Sequence, residues 1–166
     1  MQRNEAVEKV IRRISEVYAI AERAYGRSFA FPRITFNVRG KAAGRAYFYQ
    51  NRIALNLQML LENGQNFIDD TPGHEAAHLI SFNVYGIHTK PHGREWQSVM
   101  RVIGQAPNCT HSFKTQGFVY FCSCREHNLS TRMHNSIQQQ LQTRICRHCR
   151  QVIKWAKLHE KNFVTT

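Results

Sequence analysis

The 166-residue sequence predicts an α+β fold followed by a small cysteine-rich unit. Three observations predict it. Apolar residues recur at helical spacing over residues 4–25, short segments between residues 34 and 57 alternate apolar with polar, and four cysteines fall in two close pairs after residue 118. A chain of this length can bury about 70% of its unfolded surface, so a real core is expected.

In the first helix Val7, Val10, Ile11, Ile14, Val17, Tyr18, Ala21 and Tyr25 form the apolar stripe, and Gly26 stands where a C-cap falls. Glu8, Arg12, Arg13, Glu16 and Arg23 form its solvated face. Pro32 bars helix continuation, and Ile34, Phe36 and Val38 then alternate as a half-buried strand. Residues 46–49 and 52–57 read as two further strands around Gln50-Asn51, completing a three-stranded meander. Consecutive Tyr47, Phe48 and Tyr49 place aromatics on both faces, so at least one side should be covered, by core or by extended peptide. Asn56 can cap a short helix that ends at Asn63-Gly64. A longer helix is expected to start with Asp70 or Thr71 as N-cap and Pro72 in its first turn, running to Gly86. Trp96, Val99, Met100 and Ile103 mark another helix ending at Gly104.

The chemistry concentrates in His74-Glu75-Ala76-Ala77-His78. On a helix, two histidines four residues apart project from one face and can hold one zinc ion, while Glu75 flanks that face as a base for a water molecule. A catalytic zinc needs a third protein ligand, and His88, His92, His111 and Glu95 are the candidates. His92 sits between Pro91 and Gly93 at the entry to a helix, a placement that can fix an imidazole against the preceding helix.

Cys122-x-Cys124 and Cys146-x-x-Cys149, separated by 21 residues, have the outline of a zinc ribbon with one structural zinc. The first knuckle departs from the usual Cys-x-x-Cys, so His127 or His134 could replace one thiolate. Cys109, the fifth cysteine, reads as a small buried hydrophobe. Thiol pairs of this kind suit a reducing compartment better than a disulfide framework. No run approaches 18 apolar residues and the N-terminus lacks the apolar centre of a secretion signal, so a cytoplasmic protein with no membrane partner is expected.

The net charge of +12 points to a polyanion partner. Residues 118–166 carry eight Lys or Arg against two acids, half of that excess, and Arg144, Arg147 and Arg150 beside Tyr120 and Trp155 offer phosphate contact and base stacking. The expected domains are residues 1–117 and the appendage 118–166.

These residues resemble a known family. The two-histidine motif, Pro91-His92-Gly93-Arg94-Glu95-Trp96, Cys122-Ser123-Cys124-Arg125-Glu126-His127, Arg132-Met133-His134-Asn135 and Cys146-Arg147-His148-Cys149 together look like the bacterial SprT proteins, whose core is similar to that of Spartan, a protease for proteins crosslinked to DNA. The resemblance implies a small zincin-like metalloprotease core (N-terminal helix, β-meander, HExxH helix) ahead of the ribbon. It implies a catalytic zinc on His74, His78 and His92 with Glu75 as the catalytic base. The expected partners are protein substrates and DNA, the expected state a monomer, and the expected location the cytoplasm, including the nucleoid. The competing expectation is a nucleic-acid-binding regulatory module whose zinc is structural and which does not cleave.

Overall fold

A computed structural model describes residues 2–111, 113 and 117–155. Helix α1, Arg3–Tyr25, buries Ala6, Val10, Ile14, Val17, Tyr18 and Ala21 along one stripe, and Gly26 closes it with φ 62°. Ile11, expected on that stripe, is among the exposed apolar residues because its position falls off the seam that Ala6 and Val10 define.

Three short strands follow, β1 (Arg33–Thr35), β2 (Gly44–Tyr47) and β3 (Arg52–Leu55). The sheet order is β1-β3-β2, with β1 parallel and β2 antiparallel to β3, which corrects the expected meander. The physical reason lies in burial: Ile53, Ala54 and Leu55 are all covered, so β3 takes the central place and the two half-buried strands lie at the edges. Phe36 to Val38 do not extend β1 as a regular strand. A single bond from Val38 N to Leu55 O continues the ladder before Asn56 leaves it. After β2 the chain turns through a 3₁₀ segment, Phe48–Gln50, closed by Asn51 at φ 39°. Phe48 and Tyr49 therefore leave the sheet, Phe48 stacking on Phe82 at 5.1 Å while Tyr49 stays 86% exposed.

Asn56 caps α2 (Leu57–Asn63) through its side chain, which accepts from Met59 N, and its amide also donates to Gly40 O and Ala42 O. One residue thus starts a helix and ties down the loop before β2.

Helix α3 runs Gln65–Tyr85, starting well before the expected Asp70 or Thr71 cap, and carries Pro72 in its interior. Buried Phe67 and Ile68 anchor its first turns, and that burial outweighs the missing proline N–H. The Gln105 amide, arriving from beyond α4, donates to Asp69 O and Asp70 O where the proline loosens the helical ladder. Gly73 leaves room for that amide. Helix α4, Arg94–Val102, buries Trp96, Val99 and Met100. Because α3 lies against α1, α4 and β2, it is the central helix of its unit.

The chain divides into two compact units, Met1–Lys114 and Thr115–Thr166. In the second, β4 (Phe118–Phe121) pairs with β5 (Glu126–Leu129) and with β6 (Lys154–Trp155), all antiparallel. Between β5 and β6 lies α5, Thr131–Gln138, a polar helix absent from the expected ribbon outline and capped by the Ser130 hydroxyl, which accepts from Met133 N. Tyr120, Cys146 and Ile153 form the buried apolar centre of this second unit, with His134 of α5 buried beside them. Among the described residues no helix is long and apolar enough to cross a membrane.

Candidate metal centres and active-site cleft

Helix α3 presents His74 and His78 with ring centroids 5.1 Å apart, as two residues one turn apart must. The loop between α3 and α4 delivers His92, whose Nε2 lies 3.0 Å from that of His74 and 3.2 Å from that of His78. The three rings form one group that could hold a metal ion, and His88, His111 and Glu95 are outside it. His92 itself adopts φ 57°, a conformation that costs a residue with a Cβ roughly 1 kcal/mol. Gly93 N donates to Lys90 O and the Gln97 amide donates to His92 O, so both sides of the strained residue are held.

Trp96 is the floor of this group. Its ring is 1% exposed, with centroids 4.9, 5.4 and 4.6 Å from His74, His78 and His92, and its Nε1–H donates to His74 O. Burial against such a floor disfavours the charged imidazoles: it pulls His74 down to about 4 and His78 to about 3, with repulsion among the rings adding to it, and lowers His92. All three rings are therefore neutral near pH 7, the form that ligates metal. The Asn108 backbone carbonyl bonds to the His74 ring and so helps to fix its orientation.

Glu75 is 7% exposed, lodged between α3 and β2. Burial pushes its carboxyl up to about 8, against the lowering effect of the Ala46 backbone N–H, which donates to it. Gly44 makes this fit possible, since a Cβ there would come within 2.7 Å of Glu75 Cγ and Oε1. A cleft of about 180 Å³ opens beside Glu75 and His74, with Asp70, Thr71, Cys109 and His111 on its walls. Cys109 is exposed there, contrary to the buried placement expected, because it follows Asn108 on the loop that crosses His74.

Sequence reasoning missed three contributors. Trp96 was legible only as an apolar helix residue, although it stands four after His92. Gly44 read as a loop boundary, and His111 only as a spare ligand.

In the second unit the sulfurs of Cys122, Cys124, Cys146 and Cys149 lie within 4.8 Å of one another. Cys122 and Cys124 occupy the β4–β5 turn, and an isolated Ile145–Val152 bridge brackets Cys146 and Cys149. The Cys149 and His148 backbone N–H groups donate to Cys146 Sγ and hold its thiol well below the ordinary value, as a metal-binding knuckle does. His127 Nε2 sits 3.2 Å from Cys122 Sγ, beside the four sulfurs. His134 takes no part: its ring stacks on Phe118 at 3.5 Å and its Nδ1 meets Tyr120 Oη at 3.1 Å, inside the small core.

The SprT-like family matches residues 14–116, a span that holds all of the His–Glu site. The chain belongs to the SprT-like family. It is 45% identical over 143 residues to Protein SprT of Vibrio parahaemolyticus, covering 82% of this chain and 86% of that protein. Protein SprT of Actinobacillus succinogenes is 40% identical over 148 residues, covering 86% of each, and that of Escherichia coli O157:H7 is 37% identical over 146 residues, covering 84% and 88%. No solved structure matches the chain. In this SprT-like protein Arg144, Arg147 and Arg150 are all exposed around the second cysteine knuckle, and none of them forms an ion pair among the described residues.

Proposed function

We propose that the protein is a zinc-dependent endopeptidase acting on DNA-associated or DNA-crosslinked proteins, with Glu75 as general base. The observation that carries this reading is the convergence of three neutral imidazole Nε2 atoms beside a buried carboxyl of raised pKa. Two nitrogens on a tetrahedral zinc stand about 3.3 Å apart, and the histidine nitrogens at 3.0 and 3.2 Å fit that set. Sulfurs on such an ion stand about 3.8 Å apart, close to the 3.7 Å between Cys124 and Cys146, so a structural zinc suits the ribbon.

His74, His78 and His92 would hold the catalytic ion, whose Lewis acidity acidifies water and polarises a peptide carbonyl. Glu75, as the carboxylate, takes the proton of the attacking water and returns it to the leaving nitrogen as the C–N bond breaks. The Ala46 N–H keeps the carboxylate aimed, and Trp96 keeps water from beneath the rings. Exposed Arg144, Arg147 and Arg150 and the net charge of +12 support DNA as the partner that brings protease and substrate together.

Glu75→Gln tests the reading. Metal content and fold should survive while cleavage of a DNA-crosslinked protein, assayed with and without DNA, falls at least 10²-fold, as loss of a general base does at about 10²–10⁴. A Gln variant as fast as wild type overturns it. A metal-loaded wild type that binds DNA but cleaves nothing favours the regulatory module.

A further inference from the structure

The mechanism above leaves one atom without a donor from the chain. When water attacks a peptide carbonyl, the new C–O bond pushes the π pair onto the carbonyl oxygen, and that oxyanion persists until the C–N bond breaks and Glu75 delivers the proton to nitrogen. Donors aimed at such an oxygen are commonly the largest single contribution to catalysis.

We propose that His111 is the oxyanion donor, a catalytic residue presenting Nε2–H to the tetrahedral intermediate. The proposal rests on the peptidase reading and adds to it a residue that is not a metal ligand. His111 lines the same cleft as His74 and Glu75. It lies near enough to both His74 and Asp70 for their charges to interact. Its ring is held in place from the core: His111 stacks on Phe113 at 4.6 Å and 18°, and Phe113 stacks on fully buried Phe67 of α3 at 5.4 Å and 30°. Its tautomer is set as well. The Phe113 backbone N–H donates to Nδ1 at 3.4 Å, so the neutral ring carries its proton on Nε2, which has no partner among the described residues. A wall histidine with its plane fixed and its one donor free is arranged for an incoming acceptor.

Two neighbours agree with that role. Asp70 places a carboxylate where it stabilises the ring as the bond to the oxyanion strengthens. Thr71 lines the same cleft, is 3% exposed, and its Oγ1 finds no partner among the described residues, so a bound substrate would also satisfy a buried hydroxyl.

The experiment compares two inhibitors built on one short peptide, bound to the metal-loaded full chain: a phosphinate, whose tetrahedral anion mimics the intermediate, and a hydroxamate, which has no tetrahedral centre. His111→Ala should keep both metals, weaken the phosphinate about 10²-fold and leave the hydroxamate within about threefold. In cleavage it should lower kcat by about 10²–10³ with KM little changed, and His111→Gln, which retains an N–H, should recover at least about tenfold. Equal weakening of both inhibitors makes His111 a shape residue, and loss of metal makes it part of the ligand set. Either result, or no change in phosphinate affinity, overturns the proposal, as does a wild type that fails to bind the phosphinate. Should wild type bind the phosphinate in a His111-dependent manner yet cleave nothing, the peptidase reading falls and takes the catalytic role of His111 with it, leaving His111 as a binding contact for a tetrahedral anion.

Discussion

Burial acts in opposite directions on the acid and the bases of the His74–His78 turn. His74 and His78 are depressed from 6.5 to about 4 and about 3, so in the metal-free protein they contribute stability above pH 6.5 that is lost as pH falls toward 4 and 3. Glu75 is raised from 4.5 to about 8, so its contribution is complete below pH 4.5 and is lost as pH rises through 8. Glu75→Gln removes that second loss. After chelation of metal, the variant should unfold at nearly the same urea concentration as wild type at pH 5 but be more stable by roughly 2 kcal/mol or more at pH 9. A difference that does not change with pH would mean that the carboxyl is solvated. These three residues were legible in the sequence because helical spacing alone puts them on one face. His92 was only one candidate among four, since its place depends on a loop residue held at positive φ, which spacing does not encode.

At the scale of elements, the sequence showed what each segment is better than where it starts or which neighbour it meets. The alternating strands were legible, but their order was not: β3 takes the centre because both its faces are covered, a property of the packed unit rather than of any local pattern. Pro72 pointed to a helix start, and the burial of Phe67 and Ile68 carried α3 past it. Helix α5 escaped notice because its sequence is largely polar. The contact between β2 and α3 matters most for the site. Since a Cβ on Gly44 would meet Glu75 Cγ and Oε1 at 2.7 Å, Gly44→Ala must displace the carboxylate, the strand, or both. Cleavage should fall by about 10²-fold through kcat, because a misplacement of about 1 Å at a reacting group costs that much, while the histidines keep their metal. Full kcat in the Gly44→Ala variant would show that Glu75 tolerates a shift and that β2 does not position it.

For the whole molecule, the two units are held together internally by different means. The first has an extended core that gathers α1, β3, α2, α3 and α4. The second has, among its described residues, four buried ones, Tyr120, His134, Cys146 and Ile153, and one of them belongs to the four-sulfur group. So small a centre cannot offset the entropy of ordering its chain, and metal binding must supply the difference. Cys146→Ser should therefore lower the metal content from two ions to one and unfold residues beyond 115, with the His-site metal and the melting of the first unit unchanged. If the basic face on that unit carries DNA binding, the same variant should lose most of its affinity. Replacing Arg144, Arg147 and Arg150 with alanine should weaken binding while both metals stay, and should flatten the salt dependence, because each lost phosphate contact removes about 0.7–0.9 from the slope of log affinity against log salt. The pair of variants separates fold from charge. Metal analysis together with DNA titration at two salt concentrations reads both, and the division of labour is refuted if Cys146→Ser keeps two ions, or if the triple variant binds with the slope of wild type.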